Sequence, residues 1–142
     1  IGSVLRMAKA KTLGEDKVKI MSGLGFEEMP RYVRAADAGV FFINPYKKIG
    51  SCPIKMGEFL ASGVPVIINP GVGDTEEIVR ENKVGVIVRD FGEDGCRDAV
   101  RELVVLKSAG EDLSSRCVDT AKRYLSLDRG VEKYFNIYAA LA

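Results

Sequence analysis

Hydrophobic and polar positions along this chain alternate between two kinds of segment. Apolar or alternating runs bounded by turn residues predict strands at 17–22 (KVKIMS), 38–43 (AGVFFI), 64–69 (VPVIIN) and 84–88 (VGVIV). Apolar residues at helical spacing predict helices at 3–10, 27–36, about 53–62, 75–82, 94–108, 111–124 and 128–141. Strands that are apolar on both faces and separated by helices indicate an α/β fold, in which a parallel sheet carries helices on both faces.

The last predicted helix carries an apolar stripe formed by Val131, Tyr134, Phe135, Tyr138 and Leu141. A stripe at this spacing is typical of packing against a core or a neighbouring domain, and we expect that role here instead of a cofactor site. If the stripe is exposed, it favours self-association.

Length and charge restrict the class of protein further. With 142 residues the chain is expected to form a single domain over 1–142. Its 21 Lys and Arg residues nearly balance its 20 Asp and Glu residues, giving a net charge of +1. Because there is no general positive field, we expect no nucleic acid partner, and any anion must bind at a local site.

The counts of histidine and cysteine exclude several chemistries. The chain has no histidine, which removes Ser-His-Asp and Cys-His nucleophile systems and every histidine-containing metal site. Its three cysteines, Cys52, Cys96 and Cys117, are odd in number and widely spaced, so we expect a reducing, cytoplasmic location. No apolar run predicts a membrane span or a signal peptide.

The stretch SCPIKMGEFLASGVPVII, residues 51–68, predicts a helix that leads directly into a strand. Pro53 suits the first helical position, with Cys52 or Ser51 as the cap, while Gly63 and Pro65 end the helix. The first turn, Pro53 to Met56, contains a lysine and no acid, so the free N–H groups and positive dipole of this terminus are uncompensated. That arrangement favours an anion.

The next predicted helix differs at its start. Asp74 can cap it, Glu77 can complete a capping box, and Glu76 adds a second acid to the first turn. Because this terminus already has its negative charge, we assign the phosphate cradle to the turn before Pro53. The loop from Gly71 to Gly73 then lets the backbone approach an uncharged part of a ligand.

Lys55 and Glu58 leave two interpretations open. Three residues apart on a helix, they can form a surface ion pair worth a few tenths of a kcal/mol. Alternatively, Lys55 meets a phosphate while Glu58 accepts hydrogen bonds from hydroxyl groups, as a carboxylate does with ribose in dinucleotide sites. Gly57 between them supports close approach of a ligand or of another backbone.

The run PIKMGEFLASGVPVIINPGVGDTEEIV, residues 53–79, followed by VGVIV, resembles the donor-binding C-terminal half of retaining GT-B glycosyltransferases of the group 1, family 4 type. The resemblance covers residues 17–90, and its specific motif is K-x-x-E-[FY]-[LM]-A-x-G-x-P-V-I. It implies a Rossmann-like domain that is the second half of a GT-B fold. In such enzymes two further strands and a basic pair precede the helix matching 3–10, and this chain lacks them.

The resemblance implies a hexosyltransferase of polysaccharide biosynthesis that binds a nucleotide-diphosphate sugar and transfers the sugar with retention. The acceptor would be held by an N-terminal domain that is missing here, so we expect the chain to be part of a two-domain enzyme and inactive alone. The protein stabilises charge on the leaving diphosphate in this chemistry, so no metal and no other cofactor is expected.

The resemblance also assigns site residues, although it names no catalytic one. Glu58 would hold the ribose hydroxyls, and Lys55 with the backbone of Ser51, Cys52, Pro53 and Ile54 would face the diphosphate or the sugar. The base would lie against Ser22, Gly23, Leu24 and Gly25, and the sugar near Gly71, Val72, Gly73 and Asp74. Gly50 stands where many members have a glutamate that contacts the sugar, which leaves the identity of the sugar open.

Two alternatives remain from the sequence. A nucleotide-sugar 2-epimerase would share the fold, but such enzymes use acidic and histidine residues around the sugar, and this chain has no histidine. A non-catalytic α/β ligand-binding module of the receiver type would need a phosphorylatable Asp after an early strand, and Asp37 precedes its predicted strand.

Overall fold

A computed structural model describes residues 17–21, 23–45, 52–109 and 112–141. The predicted helix at 3–10, and with it Ser22, Gly50 and Ser51, lies outside the described residues.

Helices and strands alternate along the described part of the chain until the last strand, after which only helices follow. The strands are β1 (Gly39–Phe41), β2 (Val66–Ile68) and β3 (Gly85–Ile87). The helices are α1 (Met29–Arg34), α2 (Ile54–Ala61), α3 (Thr75–Asn82), α4 (Glu93–Ser108), α5 (Leu113–Leu125) and α6 (Leu127–Leu141). Each of these elements lies within two residues of the predicted position or inside it, which confirms the predicted order.

The strands form one parallel sheet in the order β1-β2-β3. Val66 of β2 pairs with Gly39 on one side and Gly85 on the other. All three residues of β2 are buried, so this strand is the centre of the sheet.

Side chains on the two faces of β2 enter two separate hydrophobic clusters. Val66 and Ile68 point to a cluster completed by α2, α3 and α5, in which Met56, Leu60 and Cys117 are fully buried. Ile67 points to the other face, where it packs with Val86, Val88 and the α4 residues Ala99 and Leu103. Helices therefore cover both faces of the parallel sheet, as predicted.

The end of α2 is fixed by backbone hydrogen bonds and a left-handed glycine. The Gly63 N–H donates to the Leu60 carbonyl at 2.9 Å, and the Val64 N–H donates to the Phe59 carbonyl at 3.0 Å, which together form a Schellman motif. Gly63 has φ +77°, and a Cβ at this position would lie 2.2 Å from Ser114 Oγ. Gly63 therefore ends the helix as predicted.

The strand predicted at 17–22 is wrong for the described residues 17–21, which contain no strand. Ile20 and Met21 are 37% and 44% exposed, so their alternating pattern has no core to face. In a doubly wound sheet of order 3-2-1-4-5-6 the third strand pairs with the second and not with the fourth. If 17–22 corresponded to the third strand and β1 to the fourth, as the resemblance implies, the two would not be neighbours.

The apolar stripe of α6 does not pack on the core of this domain. Helix α6 has no buried residue, and Tyr134, Phe135 and Tyr138 are 67%, 70% and 69% exposed. Of the two predicted roles, packing against this domain's core is not seen, because the helix touches the rest of the described chain mainly through α5, and packing against a neighbouring domain stays a prediction. Among the described residues, no helix is both long and apolar enough for a membrane span.

Because α2 packs into the hydrophobic cluster on one face only, we expect two substitutions in this helix to change the free energy of unfolding by very different amounts. Leu60 is fully buried, so Leu60→Ala is expected to lower the free energy of unfolding by about 2 to 5 kcal/mol, through lost burial and a cavity. Ile54 is 82% exposed, and Ile54→Ala should change it by less than about 0.5 kcal/mol. Urea denaturation followed by circular dichroism measures both; equal losses would contradict this packing.

Candidate functional site

The carboxyl edge of the sheet gathers the segments that the sequence singled out. Because parallel strands end at the same edge, residues 42–45 after β1 and 69–74 after β2 leave the sheet together. Helices α2 and α3 follow these two loops, so their amino termini face this edge. In open α/β sheets this is where ligands bind.

A buried asparagine joins the two loops, and the sequence analysis missed it. Asn69 is 4% exposed, and its Oδ1 accepts a hydrogen bond from the Ile43 N–H at 2.7 Å. Its Nδ2 donates to the Ile43 carbonyl at 2.8 Å and to the Pro70 carbonyl at 3.0 Å. The available signal was a polar residue at the end of an otherwise apolar strand, directly before Pro70 and Gly71.

The loop after β2 also touches the loop after β1 through a glycine. Gly71 has φ +83°, and a Cβ placed on it would lie 3.2 Å from Pro45 Cβ. A side chain here would be strained by the backbone and crowded by the proline. The predicted sugar-side residues, Gly71 to Asp74, therefore pass close to the chain that leads toward α2.

The amino terminus of α2 is open, as the sequence predicted, but its cap differs. Pro53 is the N-cap residue, with φ −67° and ψ 115°, so the helix begins one residue later than predicted. Its extended ψ places it outside the helix, and the first turn begins at Ile54. Among the described residues, no side chain caps this terminus and no acidic residue lies in its first turn, so the helix dipole leaves a positive potential here.

Lys55 and Glu58 form the ion pair that the spacing allowed. Lys55 Nζ lies 2.7 Å from Glu58 Oε2, and the two side chains are 56% and 32% exposed. Glu58 also borders two pockets. One, of ≈ 410 Å³, is lined by Cys52, Pro53, Ile54 and Gly57, and the other, of ≈ 300 Å³, by residues that include Phe26 and Met29.

The predicted base-side loop lies directly before α1. The Gly25 carbonyl accepts hydrogen bonds from the N–H groups of Glu28 and Met29 at 3.1 and 3.2 Å, and its own N–H donates to Glu28 Oε2 at 3.2 Å. Phe26, which follows this loop, is 88% exposed and shares the smaller pocket with Glu58. The structure therefore places Gly25 and Glu58 on the same side of the domain, on elements that pack together.

The capping box predicted for α3 is wrong. Asp74 occupies the N-cap position, but its side chain accepts no cap hydrogen bond, and its φ −94° and ψ 6° are not the extended values that such a cap requires. The Thr75 hydroxyl donates instead to the Val72 carbonyl at 2.6 Å. The first turn still carries Glu76 and Glu77, and Glu76 is ion-paired with Arg89.

Electrostatics show that the starts of α2 and α3 are close in space. Burial raises the pKa of the Cys52 thiol, and the negative charge of Asp74 raises it further. The second effect requires the Asp74 carboxylate to lie near Cys52, although 22 residues separate them along the chain. Together with the approach of Gly71 to Pro45, this interaction places the predicted donor-binding and sugar-side segments at the same edge of the sheet.

The carboxyl edge holds neither a metal site, among the described residues, nor the largest pocket described. Within the described ranges, no group of three or more histidine, cysteine, aspartate or glutamate residues could hold a metal ion. The largest pocket described, ≈ 610 Å³, borders Asp37, Pro65 and Ser114. Asp37 and Pro65 precede β1 and β2, so this pocket lies at the opposite, amino edge of the sheet.

The parallel sheet with helices on both faces, and the site at its carboxyl edge, define a Rossmann-like α/β domain. Residues 2–105 match the family Glycosyl transferases group 1, so the chain belongs to this family. The resemblance to group 1 glycosyltransferases that was read from residues 53–79 is thereby confirmed.

Two known proteins show the extent of the similarity. Glucosyltransferase 3 from Streptococcus parasanguinis is 43% identical over 42 residues, which is 30% of this chain and 12% of that protein. The sucrose-phosphate synthase from Thermosynechococcus elongatus has the same fold over 97% of this chain, with a TM-score of 0.75 and 18% identity. This chain spans 33% of the synthase chain. The Rossmann-like fold prediction is confirmed.

The proximity of Asp74 and Cys52 predicts a change in thiol reactivity. Asp74→Asn removes a negative charge that raises the pKa of Cys52, so its pKa should fall and more thiolate should be present at a given pH. Alkylation of Cys52 by iodoacetamide at pH 8, followed by peptide mass spectrometry, should become faster. Asp98→Asn, which changes an exposed acid on α4, is the control and should leave the rate unchanged. An unaltered rate in Asp74→Asn would mean that the two segments do not converge.

Proposed function

We propose that this chain is the donor-binding domain of a retaining glycosyltransferase and that it binds a nucleotide-diphosphate sugar at the carboxyl edge of its sheet. The observation that carries the proposal is the start of α2. Within the part of the chain that the structure describes, this terminus has no side-chain cap and no acid in its first turn, and it presents Lys55 and Glu58 within one turn. Family membership supports a role in sugar transfer.

The charge distribution favours the diphosphate at α2 over α3. The helix dipole places a positive potential at the first turn of α2, to which Lys55 adds a full charge. The first turn of α3 carries Glu76 and Glu77, and its acids would repel an anion. The two termini are close, so a diphosphate at α2 would leave the sugar beside the glycine loop that precedes α3.

The ion pair between Lys55 and Glu58 does not oppose this role. An exposed pair at this spacing is worth only a few tenths of a kcal/mol, so a ligand can separate its members at little cost. A carboxylate accepting hydrogen bonds from two ribose hydroxyls gains about 1.5 to 3 kcal/mol per charged bond. The pair therefore holds both side chains at the site until the ligand replaces it.

The two pockets beside Glu58 suggest how the nucleoside would lie. A ribose at Glu58 would extend on one side toward Phe26 and the loop at Gly23 to Gly25, where the base can bind, and on the other toward Pro53. Asp74 and the backbone at Gly71 to Gly73 would then approach the sugar. Ser22 and Ser51 lie outside the described residues. For them we propose the roles that the resemblance implies, with Ser22 beside the base and Ser51 beside the diphosphate or the sugar.

The proposal for the whole protein follows from its relatives. Since the chain spans 33% of the synthase chain with the same fold, we propose an N-terminal acceptor domain as its partner and a two-domain enzyme of polysaccharide biosynthesis. Lys55 and the α2 dipole supply the positive charge that a leaving diphosphate needs, so no metal is required. All three cysteines are free, which supports a cytoplasmic location.

Glu58→Gln tests the ribose contact. The amide keeps the size of the side chain but loses its charge, so the affinity for the best-binding nucleoside diphosphate among UDP, GDP and ADP should fall by about 1 to 3 kcal/mol. Isothermal titration calorimetry measures the dissociation constant. Glu132→Gln is a matched control, because Glu132 forms an exposed ion pair of the same spacing with Arg129 on α6. An unchanged affinity in Glu58→Gln would refute the assignment.

Lys55→Met tests the diphosphate contact separately. The substitution removes the charge and keeps most of the side-chain length, so binding of the nucleoside diphosphate should weaken much more than binding of the matching nucleoside. Competition by inorganic pyrophosphate should weaken in parallel. Arg129→Met serves as the control for loss of one exposed cation. Equal losses for nucleoside and diphosphate would place Lys55 away from the phosphates.

A further inference from the structure

The side chain of Asn69 is a buried, hydrogen-bonded polar group at the carboxyl edge of the sheet. It is 4% exposed and makes three hydrogen bonds, all to backbone groups. Two of them go to the N–H and the carbonyl of Ile43, which is 26 residues away along the chain. The third goes to the Pro70 carbonyl in its own loop.

These bonds connect the two loops on which the proposed site is built. Ile43 belongs to the segment that leads through Pro45 toward α2, and Pro70 opens the loop that leads through Gly71 to α3. The close approach of Gly71 to Pro45 is a second, independent contact between the same loops. Both contacts hold the segment after β1, residues 42–45, against the loop that precedes α3.

We propose that Asn69 is a positioning residue that sets the distance between the diphosphate-binding start of α2 and the sugar-side loop at Gly71 to Asp74. The inference rests on the proposed function, because it assumes that a nucleotide sugar spans these two segments. Asn69 does not touch the ligand in this arrangement. It acts through the backbone of Ile43 and Pro70, so its loss should affect ligands that bridge both loops and spare ligands that use only one.

The chemistry of the amide explains why asparagine suits this position. One acceptor and two donor hydrogens are used at once, and no other side chain of this length offers both. An aspartate in place of Asn69 would keep the acceptor but would bring a carboxylate against two carbonyl oxygens. That repulsion should push the loops apart without adding or removing side-chain volume.

The experiment compares two ligands on the same variant. UDP-glucose, GDP-mannose and ADP-glucose are titrated into the wild-type chain by calorimetry, and the tightest binder is then measured on Asn69→Asp together with its nucleoside monophosphate. We expect about a tenfold loss for the nucleotide sugar and less than about a twofold loss for the monophosphate. Circular dichroism confirms that the variant is folded at the temperature used.

Asn82→Asp provides the matched control. Asn82 Nδ2 donates to the Ile78 carbonyl at 2.8 Å near the end of α3, so this variant also loses a side-chain bond to the backbone, far from the loops. It should lose stability and keep the ratio of the two affinities. An unchanged ratio in Asn69→Asp would reduce Asn69 to a structural residue and overturn the inference.

A second measurement does not depend on any ligand. Hydrogen exchange at the Ile43 amide, followed by NMR, should accelerate in Asn69→Leu more than at amides of β2, because the acceptor on residue 69 is lost. Equal acceleration throughout the sheet, or none, would also overturn the inference. If the wild-type chain binds no nucleotide while the Ile43 amide responds as expected, the proposed function fails and the link between the loops stands.

Discussion

The parallel pairing of β2 with a strand on each side is the constraint on which the rest of the domain depends. Gly85 approaches Val66 so closely that a Cβ would lie 2.0 Å from the Val66 carbonyl oxygen, so the strands can pair in this register only because residue 85 lacks a side chain. The register sends Val66 and Ile68 to one cluster and Ile67 to the other. It also brings the loops after β1 and β2 to one edge, where hydrogen bonds between the Asn69 side chain and the backbone of Ile43 join them.

Helix α2 shows how one element can be rigid at one end and open at the other. Its last turn is closed by the Schellman motif at Gly63, and Met56 and Leu60 are fully buried on the face toward the sheet. Its first turn has no cap, and Ile54 is 82% exposed. The buried face fixes the helix axis, so the first turn is held in position while the Lys55 side chain stays exposed. A site built on a packed helix is more precisely placed than one on a loop.

The order of the elements and many of their bounds could be predicted from the sequence. Hydrophobic periodicity and the glycine, proline and capping residues that bound each element are local signals. The predicted bounds of α3, Thr75 and Asn82, are those of the structure. The strand predicted at 17–22 fails because alternation reports amphipathicity and not the presence of a partner strand. The prediction of a capping box at Asp74 is wrong because the residue types at positions 74 and 77 do not determine the backbone φ and ψ of Asp74. The hydrogen bonds of Asn69 to Ile43 could not be predicted, since the two residues are distant in sequence and only the folded sheet brings them together.

The amino edge of the sheet offers a larger pocket, and its electrostatics show why size does not decide the site. That pocket borders Ala61 and Ser62 at the carboxyl end of α2, where helix carbonyls carry negative partial charge. Its lysine, Lys107, is bonded to Asp37 and lowers the pKa of that carboxyl, so this cation is already paired. Helix α5 begins there too, but Asp112 accepts a hydrogen bond from the Ser115 N–H at 3.0 Å and adds a negative charge. Arg34 also lines this pocket, but an anion there would meet helix carbonyl groups and the carboxylates of Asp37 and Asp112 as well, whereas at the start of α2 no acid lies in the first turn.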